Sequence, residues 1–298
     1  MVKGKKKENE MSFLEHLEEL RWHIIRSVAA VFILMIVAFI FGNFIFDKII
    51  LAPRNSDFVT ARALCNIGGM LSEYIKYINP DIICINQRPA NLININMAGQ
   101  LTTHFKIAIF AGLILAFPVI LWEFWRFFEP ALKPNEKRYT QGVVLVSSLL
   151  FFMGVLFGYY ALAPISVHFL TTYELSGSGG VVNQIDIKSY ISTITTISFA
   201  TGLIFELPII AFFLTKIGVL TPKFMRTYRR HAIVLTLILS ALITPPDIFS
   251  QILVAIPLLI LYEISIFISA RIVSKREKER EAFMNDEVST DTSIIPSK

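Results

Sequence analysis

Residues 12–26 read SFLEHLEELRWHIIR and lead directly into the first long apolar run of the chain. If this stretch is helical, apolar residues recur at spacings of four, three and four, so they share one face. Those residues are Phe13, Leu17, Leu20 and Ile24. Three carboxylates, from Glu15, Glu18 and Glu19, lie on the other side. Such an acidic patch suits the docking of a positively charged partner, while an interfacial helix that merely leads into a membrane span is the alternative.

The composition indicates an integral membrane protein. The 298 residues are 54% hydrophobic and 17% charged, with a mean hydropathy of +0.59. Soluble domains are typically about 45–50% apolar and about 25% charged. A basic start is followed by the acidic helix and not by an apolar segment, so we expect no cleavable signal peptide.

Six hydrophobic segments follow one another along the chain. They cover approximately residues 24–46, 105–125, 142–163, 190–213, 232–243 and 248–268. A span needs about 20 residues to cross about 30 Å of hydrocarbon, so the fifth segment is either re-entrant or crosses a locally thinned bilayer. We favour a tight crossing hairpin of the fifth and sixth segments, because the charge pattern requires the chain to return.

Lysine and arginine are distributed unevenly over the connections between these segments. The N-terminal stretch, the second and fourth connections and the tail hold six, four, five and six of them. The third connection holds one and the fifth none, while the long first connection holds five. Because short cytoplasmic loops have an excess of basic residues, we expect six crossings with both termini cytoplasmic.

The domain organisation that follows is one six-span domain over residues 1–270. The first external connection, about 47–104, is unusually long, and residues 57–95 within it form a small inserted element. Both cysteines lie there, on the predicted outer and oxidising side, so we predict a Cys65–Cys84 disulfide, with two free thiols as the alternative. The tail, 271–298, is charged and then rich in Ser and Thr, and we expect it to be cytoplasmic and disordered.

The sequence has no recognisable catalytic, nucleotide-binding or metal-binding motif. No Walker sequence, GxGxxG or HExxH occurs, and the five histidines lack metal-ligand spacing. No Ser/His/Asp set can be nominated. We therefore expect neither an enzyme nor a bound metal or cofactor.

A carboxylate lies inside the fourth segment. Glu206 is roughly 10 Å from the cytoplasmic end of that segment at 1.5 Å per residue, and an intramembrane acid usually faces a bundle interior or a wet cavity. A Glu that is protonated or hydrogen-bonded for structure alone is the alternative. The same segment contains hydroxyl residues that suit an inward face, namely Ser192, Thr193, Thr195, Thr196, Ser198 and Thr201. In the third segment Gly154 and Gly158 form a GxxxG, which indicates either a close helix approach or ordinary packing.

Several ordered motifs point to a known family. They are His16-Leu-Glu-Glu-Leu-Arg21, Phe128-Glu-Pro-Ala-Leu132 followed by Glu136-Lys137-Arg138, Phe205-Glu-Leu-Pro208, and Thr244-Pro-Pro-Asp-Ile-Phe-Ser-Gln251. Together with the number of spans, they resemble TatC, the multispanning subunit of the twin-arginine (Sec-independent) protein translocase. The resemblance covers nearly all of residues 12–270 except the insert.

The resemblance implies an all-α integral membrane protein whose six transmembrane helices form a concave, glove-shaped bundle with short fifth and sixth helices. It implies a receptor and scaffold in the bacterial cytoplasmic membrane that binds Arg-Arg signal peptides of folded cargo. It also implies TatA-like and TatB-like single-span partners, an oligomeric complex and transport driven by the proton-motive force. The main alternative is a proton-coupled small-solute transporter with Glu206 as its carrier site, although we see no inverted repeat of the kind expected for one.

Site residues are transferred by motif from the same resemblance. Signal-peptide binding is implied for Glu19, Arg21, Phe127 and Glu136. An intramembrane polar role is implied for Glu206 and Gln251, the latter in the partner-binding region. A structural role is implied for Pro53, Pro245, Pro246 and Asp247. Two fixed carboxylates suit two arginines, because planar guanidinium groups bind carboxylates bidentately.

Overall fold

The computed structural model describes residues 13–74, 84–86, 91–128, 140–173, 184–244 and 248–292. Its α-helices are α1 (Phe13–Ile40), α2 (Gly42–Phe44), α3 (Val59–Tyr74), α4 (Gly99–Phe128), α5 (Thr140–Phe157), α6 (Ala163–Thr172), α7 (Ile187–Ile204), α8 (Leu207–Lys216), α9 (Pro222–Thr227), α10 (Arg229–Ile243) and α11 (Ile248–Thr292). Ile45–Ile50 and Gly158–Leu162 are π-helical, and Ala52–Arg54 is a 3-10 turn. Two-residue strands β1 (Leu92–Ile93) and β2 (Ile185–Asp186) pair in parallel. Apart from this pair, the regular structure of the described residues is helical, as predicted.

Five stretches of the described chain are long and apolar enough to cross a membrane. They are Leu17–Ile40, Gly99–Phe127, Gly142–Thr172, Ile187–Lys216 and Ser250–Ala282. These stretches coincide with the first four and the sixth hydrophobic segments of the sequence. The predicted fifth segment corresponds to α10, which has 15 residues and is short, as expected. The chain is therefore a helical, multi-pass membrane protein.

The last helix corrects two of our predictions. α11 has 45 residues and continues to Thr292, so the sixth helix is not short and residues 271–292 are not disordered. The sequence KREKERE at 275–281 consists of good helix formers, and opposite charges recur three and four residues apart. The guanidinium of Arg276 also donates a hydrogen bond to the carbonyl of Lys216 at the end of α8. The prediction of disorder gave weight to charge density and overlooked this helix propensity.

The chain divides into two compact units, of which the first comprises residues 1–50 and 94–149. Its main packing is between α1 and α4. A Cβ added at Gly112 of α4 would lie 2.7 Å from the Cα of Met35 on α1, so the two backbones approach as closely as a glycine permits. His104 on α4 stacks on the ring of Phe39 and contacts its carbonyl oxygen at 3.0 Å through Nε2. The opposite surface of α1 remains apolar and exposed, as a lipid-facing helix requires.

The second unit comprises residues 51–93 and 150–298. Its apolar core includes Leu162, Ile197, Val254 and Leu258, from the π-helix, α7 and α11. Hydroxyl groups connect helices within the same unit: the Thr215 hydroxyl of α8 donates to the Ser269 hydroxyl of α11 at 2.9 Å. In lipid, burial of apolar area drives helix association only weakly, because the lipid tails are themselves apolar. Buried hydroxyls of this kind stabilise the contact between helices by hydrogen bonding.

The described part of the insert packs on the third apolar segment, within the second unit. Phe58, Ala61 and Ile85 form a buried cluster against which Tyr159 and Ile165 pack. Cys65 on α3 and Cys84 form a disulfide in the structure, with their Cα atoms 4.4 Å apart. This is the pair that the sequence analysis proposed, and it ties α3 to the segment that contains Ile85.

Candidate functional site

An open groove of about 530 Å³ lies between α1 and α4 in the first unit. It is lined by Glu18, Glu19, Trp22, His23, Arg26 and Arg126. Five of these residues come from α1 and recur at the three- and four-residue spacings that place side chains on one helical face. The regular helix α1 thus presents two carboxylates, an indole, an imidazole and a guanidinium to one space.

One wall of the groove contains an ionic cluster centred on the buried carboxylate of Glu123. Nδ1 of His23 is 2.5 Å from Oε2 of Glu123, and Nη1 of Arg26 is 3.7 Å from the same oxygen. Glu123 is 8% exposed, so its carboxylate is nearly removed from solvent. A buried carboxylate requires such partners, because an unpaired charge there would lose its hydration without compensation. The cluster therefore fixes α1 against α4 beside the groove.

The formal charges of the groove and its cluster nearly cancel. Glu18, Glu19 and Glu123 contribute three negative charges, and Arg26 and Arg126 contribute two positive ones. The Glu123 carboxylate contacts His23 and Arg26, whereas Glu18 is exposed and Glu19 is half-buried. The carboxylates that face solvent are therefore those of Glu18 and Glu19.

The predicted signal-binding residues have different positions in the structure. Glu19 lines the groove, and the ring of Phe127 contacts the edge of His23 with centroids 6.1 Å apart. Arg21 is exposed on α1 but is not among the groove-lining residues. Glu136 lies outside the described residues, as do Pro245, Pro246 and Asp247.

Glu206 lies at a break between two helices in the second unit. α7 ends at Ile204 and α8 begins at Leu207, with Pro208 in its first turn. The backbone N–H of Glu206 donates to the Leu203 carbonyl, and its own carbonyl accepts from Ile209 and Ile210. The residue is 7% exposed. The sequence analysis placed this acid inside a continuous segment, and the proline now explains why the helix is interrupted there.

Part of the hydroxyl-rich stripe beside Glu206 faces inward. Thr195, Ser198 and Thr201 are buried, but Thr196 is exposed. The hydroxyls of Thr195 and Thr201 donate to carbonyls four residues earlier in their own helix, at 2.7 and 2.5 Å. These two threonine hydroxyls are satisfied within α7, so their burial by itself does not make them part of a binding site.

The GxxxG of the third segment is a site of close helix approach. A Cβ added at Gly158 would lie 2.9 Å from the Cα of Ser198 and from the Thr201 hydroxyl. A Cβ added at Gly154 would lie 2.8 Å from the Thr201 carbonyl. Of the two readings that the sequence left open, the structure therefore supports close approach, here against α7.

Two further predicted residues make structural contacts in the second unit. Pro53 is fully buried, and its carbonyl accepts a hydrogen bond of 2.8 Å from the side chain of Asn86. The side-chain amide of Gln251 donates to the Leu237 carbonyl at 3.2 Å, which connects α11 to α10. Neither contact tests the roles that the resemblance implies for these residues.

Sequence reasoning missed several side chains of the groove. The sequence analysis counted His23 only among five histidines without metal-ligand spacing, and it assigned no site role to Arg26 or Glu123. The sequence did contain an indication of the cluster: Glu123 is a second acid within an apolar segment, and such an acid requires a partner such as a cationic side chain. The sequence alone did not identify that partner, because the pairing depends on the register between α1 and α4.

The described residues define a multi-pass membrane protein whose solvent-facing acids meet in an open groove. Within the same residues, no group of three or more His, Cys, Asp or Glu side chains could hold a metal ion. Comparison with known proteins then places the chain more closely. The family described as "Sec-independent protein translocase protein (TatC)" matches residues 15–257.

Curated relatives and solved structures agree with this match. The chain is 39% identical over 274 residues to the TatC of Blattabacterium sp. subsp. Periplaneta americana, covering 91% of this chain and 100% of that protein. It is 34% identical to the TatC of Aquifex aeolicus, covering 90% and 98% of the two chains. A crystal structure of the twin-arginine translocase receptor TatC aligns with a TM-score of 0.63 at 34% identity, covering 86% of this chain and 98% of that one.

The chain therefore belongs to the TatC family of Sec-independent protein translocase proteins. It is a component of twin-arginine protein transport and not an enzyme. The alternative of a proton-coupled small-solute transporter is not favoured by any of these matches.

Proposed function

We propose that this chain is the receptor and scaffold subunit of a twin-arginine translocase and that it binds Arg-Arg signal peptides of folded proteins through the groove between α1 and α4. The observation that carries the proposal is the pair of acids at the groove, with Glu18 exposed and Glu19 half-buried on one helical face. A guanidinium can reach such carboxylates without prior rearrangement of the protein. The family's signal-binding motif falls on the same helix.

The second predicted acid, Glu136, belongs to this proposal through the resemblance alone. Two carboxylates bind two guanidinium groups more selectively than one, because each bidentate pair constrains the direction of approach. An exposed ion pair contributes only about 0.2–1 kcal/mol. The apolar part of the signal peptide must therefore supply much of the affinity by burial, for which the exposed apolar surface of α1 is available.

The assembly and location belong to the same proposal. The chain spans the bacterial cytoplasmic membrane six times, with both termini cytoplasmic and with α10 as the short fifth crossing. Its helices form a concave, glove-shaped bundle that assembles TatA-like and TatB-like single-span partners in an oligomeric complex driven by the proton-motive force. The five long apolar helices, the short α10 and the alternation of basic connections support this arrangement.

Replacement of the proposed acids tests the function. Glu19→Ala and Glu136→Ala are each expected to weaken binding of an Arg-Arg signal peptide by up to about fivefold, the effect of losing one exposed ion pair, and to reduce export of Arg-Arg cargo. Glu281→Ala, which removes an exposed acid on α11, is the matched control and should leave both unchanged. Wild-type peptide affinity and export in both the Glu19 and the Glu136 variant, measured at equal protein levels in membranes, would refute the assignment.

A further inference from the structure

The charges of this groove do not by themselves distinguish arginine from lysine. Both side chains carry one positive charge, and the acids of the groove and its cluster exceed the guanidinium groups by one. Coulomb attraction therefore favours the two cations to a similar extent. The guanidinium differs in being planar, in donating several hydrogen bonds in fixed directions and in stacking on aromatic faces. A groove that selects arginine needs a surface that recognises this shape.

Trp22 provides a flat aromatic surface beside the two solvent-facing acids. It is three residues after Glu19 and four after Glu18, so the three side chains are neighbours on the surface of α1. Side chains on a helix lean toward its N-terminus and cover the preceding turn. The indole therefore lies over the turn that contains both carboxylates. Trp22 is 55% exposed although it lines the groove.

We propose that Trp22 determines the specificity of the groove: its indole stacks on one guanidinium of the twin-arginine motif while a neighbouring carboxylate accepts hydrogen bonds from the same group. This inference rests on the proposed function. Tryptophan is the most favourable aromatic partner of a cation, and arginine is the more frequent cation in such contacts. Stacking leaves the N–H groups at the guanidinium edge available to Glu18 and Glu19. An ammonium group cannot stack as a plane and bind bidentately at the same time.

An exposed tryptophan near the end of a membrane span can have a different role from ligand binding, namely anchoring the helix in the membrane interface. The chain contains a matched residue for that role. Trp122 on α4 is 44% exposed, belongs to the same unit and is not among the groove-lining residues. If replacement of Trp22 weakens binding and replacement of Trp122 does not, the loss is therefore due to the groove and not to interfacial anchoring.

The test uses the full-length protein in membrane vesicles. Fluorescently labelled signal peptides that differ only in Arg-Arg or Lys-Lys are titrated against wild type, Trp22→Leu, Trp22→Phe and Trp122→Leu. We expect Trp22→Leu to weaken Arg-Arg binding by about threefold to thirtyfold while Lys-Lys binding changes little. Trp22→Phe should retain part of the Arg-Arg preference, because it keeps a smaller aromatic face, and Trp122→Leu should bind as wild type does.

Three results would overturn the inference. Trp22→Leu could weaken both peptides equally, as loss of an anchor would, or it could weaken neither. Trp22→Phe could lose the Arg-Arg preference completely while melting in detergent as wild type does. These outcomes are distinguishable from failure of the proposed function, in which wild type itself would show no preference for Arg-Arg over Lys-Lys. If Trp22→Leu does not fold, Trp22→Phe still tests the inference, because a smaller ring should reduce the preference for Arg-Arg over Lys-Lys, and a preference as large as that of wild type would contradict it.

Discussion

Two acids that the sequence singled out, Glu19 and Glu206, occupy contrasting surroundings. Glu19 lies on an uninterrupted helix and lines an open groove together with the exposed side chains of Glu18 and Trp22. Glu206 is 7% exposed and lies where one helix ends and the next begins. An acid at an open groove can bind a cationic ligand directly, whereas a buried acid can do so only after its surroundings open. Open and packed regions should therefore respond differently to substitution.

The largest expected effect is on the packed region. Gly158→Leu places a side chain where a Cβ alone would lie 2.9 Å from the Ser198 Cα. Separation of the π-helix from α7 should destabilise the protein by about 1–3 kcal/mol or more, which thermal melting in detergent would detect. Gly142→Leu is the control, because no heavy atom lies within 4 Å of a Cβ added there. Equal melting temperatures for the two variants would contradict the close packing described here.

A smaller effect is expected at the boundary of the groove. Glu123→Gln keeps the size of the side chain but removes the charge that His23 and Arg26 contact. We expect a loss of about 1 kcal/mol in the free energy of unfolding, the difference between a hydrogen bond to a charged group and one to a neutral group.

Glu18→Gln is the matched control for that experiment. It makes the same chemical change on the exposed side of the groove, and the melting temperature should hardly move. If Glu18→Gln destabilises the protein as much as Glu123→Gln does, the distinction between the buried cluster and the open acids is wrong.

Much of this architecture was predictable from the sequence. Apolar segments of about 20 residues define spans, because a helix is the structure that satisfies its own backbone in lipid. The position of Glu19 before the first span followed from the helical spacing of residues 12–26. The pairing of Cys65 with Cys84 followed from their position in one connection, and the structure contains that bond.

The features that were missed depend on contacts between distant parts of the chain. The ion pair of His23 with Glu123 joins residues 100 positions apart, so its existence depends on how α1 and α4 are aligned. The apolar pattern around Glu206 is continuous, but a proline two residues later interrupts the helix there. Hydrophobic periodicity alone does not show which of the two determines the local structure. The length of α11 was misjudged because a charged tail was taken for disorder, although its charges are spaced for a helix.

The most direct test of the central claim maps where the twin-arginine motif contacts wild-type protein. A signal peptide with a photoreactive residue immediately after Arg-Arg is irradiated with membranes, and the modified residues are identified by mass spectrometry. We predict adducts on the α1 face that contains Glu19 and Trp22, and no such adducts with the Lys-Lys peptide. Adducts confined to other parts of the chain, or equal labelling of this face by both peptides, would contradict a groove that recognises paired arginines.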